Sequence, residues 1–292
     1  MRWRGRRKST NVEDRRGRRS GSRMRIGRRG GSIGGIGLIA IVAFVLLGGD
    51  PAILVNLLGG GGGPVAEPGA PATRTAAENT AAEFVSVILA DTEDTWRALF
   101  RESGQSYRDP KLRLFTDSVQ SACGHTTSAT GPFYCPPDQR IYLDLGFFND
   151  LSRLGAPGDF AQAYVIGHEV AHHVQNLRGL FAALRPLQQR SSQAQSNALQ
   201  VLAELQADCY AGVWAHYADR HRNLLERGDL DEGLRAAAAI GDDRLQRNAG
   251  RRVQPESFTH GSSTQRVHWF SVGFDGGSVT SCDTFADAGV RI

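Results

Sequence analysis

The run Asp159–Gly179, DFAQAYVIGHEVAHHVQNLRG, decides how the rest of the chain is read. Within it, His168-Glu169-Val170-Ala171-His172 is an H-E-x-x-H sequence. Tyr164, Val165, Ile166, Val170, Ala171 and Val174 are apolar, and only Gly167 interrupts an otherwise helical pattern. At 3.6 residues per turn, side chains at i and i+4 lie one above the other, so His168 and His172 can present ring nitrogens to one point. Two neutral imidazoles begin a zinc site, and Glu169 between them is placed to take a proton from a water held there. The apolar surroundings predict a helix deep in the fold. One more ligand has to come from elsewhere.

Downstream, Ala203–Trp214 reads AELQADCYAGVW, a helix with little polar surface. Glu204 and Asp208 are four apart and share one face of it. Two carboxylates on a buried helix are costly unless something positive sits opposite. A single zinc ion with its histidines is such a partner. Glu204 is then the third ligand, and Asp208 accepts the free N–H of a ligand imidazole and so fixes its tautomer. The competing reading is a half-exposed helix whose carboxylates pair with arginines. His173 points about 100° away from His172 round the helix and reads as a hydrogen-bonded core or surface histidine. Tyr210, Trp214 and Tyr217 are at helical spacing and read as core.

The 292 residues are enough for a sizeable core. The net charge of +4 hides a split, because residues 1–30 hold 13 Lys/Arg against Glu13 and Asp14, leaving 21 basic and 28 acidic residues for the remainder. A basic arm could grip nucleic acid. The next segment argues otherwise. Gly30–Gly49 carries no charge and is rich in Ile, Leu, Val and Ala. At 1.5 Å per residue, 20 residues cover roughly the 30 Å of a bilayer's hydrocarbon core. The arginines directly before it would keep the N-terminus in the cytoplasm and put the rest outside. Gly59–Gly63 and PVAEPGAPATRT after it cannot bury enough apolar surface to order themselves. The expected organisation is therefore a basic cytoplasmic arm (1–29), a transmembrane helix (30–49), a Gly/Pro-rich linker (50–77) and an extracytoplasmic zinc domain (78–288). No nucleic-acid partner is expected.

From near Ala76 to about Ser103 the pattern is helical, with Thr92, Thr95 and Trp96 suggesting a break near Asp91. Lys111–Val119 and Gln139–Leu145 are short and strand-like. Helices dominate from Phe160 to about Ala238, and the tail from Val253 reads as loop. Cys123, Cys135, Cys209 and Cys282 all fall in the part placed outside the membrane, where disulfides persist. A Cys123–Cys135 bridge would staple one Gly/Pro/Ser-rich loop and leave Cys209 to Cys282, although four cysteines allow three connectivities. A Cys₄ zinc site would be expected to show C-x₂-C spacing, which is absent.

Six stretches resemble a known family, the bacterial "putative neutral zinc metallopeptidases": SACG (Ser121–Gly124), GPFYCP (Gly131–Pro136), IYLDL (Ile141–Leu145), VIGHEVAHHVQ (Val165–Gln175), ELQADCYAGVWA (Glu204–Ala215) and THGSSTQRVHWF (Thr259–Phe270). The resemblance covers most of residues 80–285. The order H-E-x-x-H then E-x-x-A-D is also similar to that of HtpX-type membrane metalloproteases, which supports Glu204 as ligand and Asp208 as its neighbour's acceptor. The resemblance implies a zincin-like, predominantly helical α+β fold and peptidase activity. It also draws attention to His260 and Arg266, either of which could stabilise an oxyanion, while Arg266 could equally pair with Asp208 or a substrate carboxyl. The resulting expectation is a membrane-anchored zinc peptidase acting on peptides or proteins, with Glu169 as general base. The strand Gln139–Leu145 would add extended substrate backbone to the sheet. The alternative from another class is a zinc-stabilised envelope scaffold that cleaves nothing.

Overall fold

The computed structural model describes residues 1–17 and 74–292, which belong to one compact unit. Three of its long helices begin where the sequence offers a capping box, a side-chain oxygen bonding the third helical N–H while that residue bonds back. Thr75 and Glu78 open α1 (Ala76–Glu102), and Ser192 and Gln195 open α5 (Gln193–Arg220). Ser262 and Gln265 open α8 (Ser263–Gly276). The break expected near Asp91 does not occur. Thr92 and Thr95 turn their hydroxyls back onto the carbonyls of Leu89 and Asp91 inside α1. The Asp91 carboxylate takes the Trp214 indole N–H and the Arg222 guanidinium instead of capping a helix. The tail after Val253 likewise holds a helix, α8, whose Phe270 and Phe274 sit four apart on its buried face.

The main sheet runs β1 (Val12–Asp14), β2 (Lys111–Phe115), β6 (Arg140–Asp144), β5 (Phe133–Cys135). β1, β2 and β6 are parallel, and β5 lies antiparallel along β6. A second ribbon pairs β3 (Ser118–Ser121) with β4 (Gly124–Thr127). β6 corresponds to the strand expected at Gln139–Leu145, but it cannot take up substrate backbone because both its edges are already paired. The outer strand on that side is β5.

After β6 come α2 (Phe147–Arg153), α3 (Asp159–Leu177), α4 (Leu180–Gln189), α5, α6 (Asp229–Ala239), α7 (Asp242–Asn248), α8 and the short α9 (Thr284–Asp287). α3, the H-E-x-x-H helix, packs against β5 and β6, and against α1, α5 and α6. Gly167 fits because a Cβ there would come within 2.7 Å of the Trp214 ring. α5 and α8 approach so closely that a Cβ on Gly273 would meet the Cys209 carbonyl oxygen at 1.9 Å. Disulfides join Cys123 to Cys135 and Cys209 to Cys282, the latter tying the segment before α9 to α5.

The N-terminal arm is part of this body. Trp3 is buried edge-on against Phe84, and β1 extends the sheet. Arg7 reaches Glu93 and Asp94, and Arg16 binds Asp14 and the Glu78 carbonyl. The Met1 ammonium sits between Asp159, Glu226 and Asp229 at 2.9–3.3 Å. The arm expected across a bilayer from the domain lies here in the same unit, and several of its cations pair with carboxylates of the acidic body. The span expected at 30–49, and the linker up to residue 73, lie outside the described residues. Among the described residues no helix is long and apolar enough to cross a membrane.

Candidate metal centre

α3 and α5 cross so that His168, His172 and Glu204 turn ring nitrogens and a carboxylate oxygen to within 4.8 Å of one another. The Glu204 Oε2 lies 3.1 Å from His168 Nε2 and 3.4 Å from His172 Nε2. Ligands about 2.0–2.1 Å from a tetrahedral zinc would stand roughly 3.3 Å apart, so the donor set fits such an ion. All three groups are buried or nearly so.

The far sides of these groups are held as well. Asp208 Oδ1 accepts from His168 Nδ1 at 2.9 Å and from the Tyr164 hydroxyl. His172 Nδ1 lies 2.9 Å from Gln175 Oε1, whose amide nitrogen donates to the Ala203 carbonyl on α5. Gln200 donates to the second oxygen of Glu204 at 2.9 Å. Such outer contacts fix the tautomer, so that each Nδ1–H points outward and each Nε2 lone pair points at the shared centre. Gln175, Gln200 and Tyr164 are not evident as site residues in the sequence. Helical spacing could have found the first two, at three residues after His172 and four before Glu204.

Arg266 takes the second of the places expected for it. Fully buried, it donates from Nε and Nη2 to the two Asp208 oxygens at 2.8 and 2.9 Å, and from Nη2 to the Tyr164 hydroxyl at 3.2 Å. His260 lies at the rim, half its side chain exposed, with Asp242 accepting from the backbone N–H of Thr259, His260 and Gly261. His173 is core, between the Tyr134 hydroxyl and the Arg108 carbonyl, and burial pulls it down to about 4.

The charges favour a cation at the centre. Burial alone would lower His168, but the charge and hydrogen bond of Asp208, with the hydrogen bond of Glu204, raise it to about 9. Burial lowers His172 too, and Glu204 outweighs this and raises it. Burial works to raise Glu204, but the two histidines hold it well below the carboxylate range. Against the same burial, Arg266 and His168 hold Asp208 at about 2. The carboxylates thus demand positive charge where the two Nε2 atoms converge. A divalent metal ion held there would meet that demand.

A cavity of about 360 Å³ opens over this centre between α3, α5 and β5. Glu169 lines it, and its Oε2 is buried with no hydrogen-bond partner. Unpartnered buried carboxylate oxygens are costly and uncommon. The side chain that carries it lines the cavity.

The family model described as "Putative neutral zinc metallopeptidase" matches residues 1–285, well N-terminal of the stretches that carry the sequence resemblance. YpfJ of Escherichia coli strain K12 is 48% identical over 288 residues, covering 98% of this chain and 99% of that protein. Mb2605 of Mycobacterium bovis and Rv2575 of Mycobacterium tuberculosis strain H37Rv are each 42% identical over 226 residues, 74% of this chain and 75% of theirs. All three are described as uncharacterized proteins. No solved structure matches the chain.

Proposed function

Because the chain belongs to the neutral zinc metallopeptidase family, we propose that it hydrolyses peptide bonds in the cavity over α3 and α5. His168, His172 and Glu204 would hold one zinc ion, and Asp208 and Gln175 would keep the two imidazoles in register. Zinc bound there supplies a Lewis acid that polarises a carbonyl and lowers the pKa of a water. Glu169 takes a proton from the attacking water as its oxygen bonds to the peptide carbonyl carbon. The C–N bond then breaks, and Glu169 returns that proton to the leaving amine. His260 at the rim is the candidate donor to the oxyanion. Arg266, committed to Asp208, holds the centre together and does not reach for substrate.

The observation that carries this reading is the unpartnered Glu169 Oε2 beside three convergent donors. A zinc site that only stabilises a scaffold is closed by four protein ligands and has no use for an unpartnered carboxylate on a side chain that lines an open cavity. The test compares Glu169→Gln with His168→Ala. Glu169→Gln should bind zinc as the wild type does and lose hydrolysis, while His168→Ala should lose both. Full activity in Glu169→Gln, on a substrate the wild type cleaves, would remove the general base from the reading.

A further inference from the structure

The composition of the cavity wall bears on which part of a chain it accepts, a question that rests on the peptidase reading. Apart from the groups already given roles and Thr130, the wall is mainly apolar, with Phe133 from β5, Phe147 from α2, Val165 from α3, and Leu154, Ile240 and Leu245 from the loops and helices beside them. An enzyme that trims a chain end needs a charge to hold that end: a cation for a terminal carboxylate, or a carboxylate for a terminal ammonium. Among the described lining residues the charged groups are Glu169, Glu204 and Arg266, with the imidazoles of His168, His172 and His260.

Apart from Glu169, each of these is already engaged. Arg266 gives Nε and Nη2 to Asp208, and Nη1 to the Ile240 carbonyl at 3.4 Å, with 2% of the residue exposed. Glu204 faces both histidines and has its other oxygen held by Gln200. Glu169 cannot both bind an ammonium and move the proton. His260 is turned by its Nδ1 toward Asp242 at 3.4 Å. Beside the apolar wall, β5 is the outer strand of its sheet, paired on one edge by β6 and lacking a strand partner on the other among the described residues. Such an edge suits an extended backbone running past it in both directions.

We infer that the cavity takes the interior of an extended chain and seats an aliphatic or aromatic side chain next to the scissile bond, so the protein is an endopeptidase for apolar segments.

The test uses the full-length, zinc-loaded protein and one decapeptide with a central Leu-Phe, made in four forms: free ends, N-acetylated, C-amidated and doubly blocked. Products are read by mass spectrometry and kcat/KM is compared. All four forms should be cut once, internally, within about threefold of one another. Replacing the central pair by Asp-Ser should lower kcat/KM by about tenfold or more, the usual size of discrimination by an apolar pocket. Leu245→Arg, on the half-buried part of the wall, should recover cleavage of a peptide carrying Glu in that place. Loss of activity on blocking either end, stepwise trimming, or indifference to the central side chains would overturn the inference and leave the peptidase reading standing. No cleavage of any form, with zinc bound, would overturn both.

Discussion

Asp208→Asn is the change that asks most of this arrangement. Asn fills the same space, so packing is kept and only the charge and one acceptor pattern are altered. In the wild type, Asp208 faces Arg266, His168 and Tyr164 at once, with none of its side chain exposed. Removing its charge leaves the buried Arg266 guanidinium uncompensated. Breaking one half of a buried pair costs about 3–5 kcal/mol, a large part of the roughly 5–15 kcal/mol that keeps a domain folded. The acceptor for His168 Nδ1 is weakened too, which predicts about 10–100-fold weaker zinc binding. The assay is urea unfolding of the chelator-treated full chain as Asp208→Asn, Arg266→Met and the double variant, with zinc affinity from competition against a chromogenic chelator. The double variant should be less destabilised than the sum of the single ones, by about 1–3 kcal/mol, because it leaves no orphaned charge. Additive costs, or a loss under about 1 kcal/mol for Asp208→Asn, would show that the pair does not lock α8 to α5.

Gln175→Ala should weaken zinc binding by about 10–100-fold and, because it orphans the buried Ala203 carbonyl, cost the metal-free chain about 1–3 kcal/mol, checked by the same two titrations. Loop-closure entropy predicts that Cys209→Ser/Cys282→Ser, opening a link across 73 residues, costs about 4 kcal/mol. Cys123→Ser/Cys135→Ser, across 12 residues, costs about 3 kcal/mol, so the thermal midpoints of the two variants should fall in that order. Burial disfavours the Met1 ammonium, but hydrogen bonds to Glu226 and Asp159 and the charges of Asp159 and Asp229 outweigh this and raise it from 8.0 to about 10. Its stabilising effect is therefore complete below pH 8 and is lost as pH rises through 10. Asp229→Asn should accordingly lower the urea midpoint at about pH 7.5 more than at about pH 10.5, and an equal loss at both would contradict that assignment.

The candidate metal centre was legible because much of it is written in local geometry. His168 with His172, and Glu204 with Asp208, are each pairs at i and i+4, and helical spacing alone aligns them. What could not be read depends on partners distant in sequence. Arg266 stood equally for an oxyanion donor or a mate for Asp208 until α8 was seen packed on α5. The strand at 139–145 had the pattern of a substrate-binding strand, but edge or centre is decided by which strands flank it. The basic arm looked separate because its counter-charges, Glu93, Asp159 and Asp229, are spread along the chain. Thr92 and Thr95 suggested a helix break for a similar reason: hydroxyls that can end a helix can also bond back into one.

The parallel pairing of β1 with β2 sets Val12 beside Leu112, and the Met1 ammonium closes on Asp159 at the head of α3. During synthesis these contacts cannot form until their partners have left the ribosome. At about 5–20 residues per second, the roughly one hundred residues from β1 to β2 take about 5–20 s. Throughout that interval the β1 edge has no strand to dock on. Arg74, on the far side of residues 18–73 in sequence, meets Asp14 and the Arg16 carbonyl. Docking of the arm thus waits on elements that follow it by a hundred residues or more. The Met1 ammonium, which closes on the first residue of α3, waits longer still.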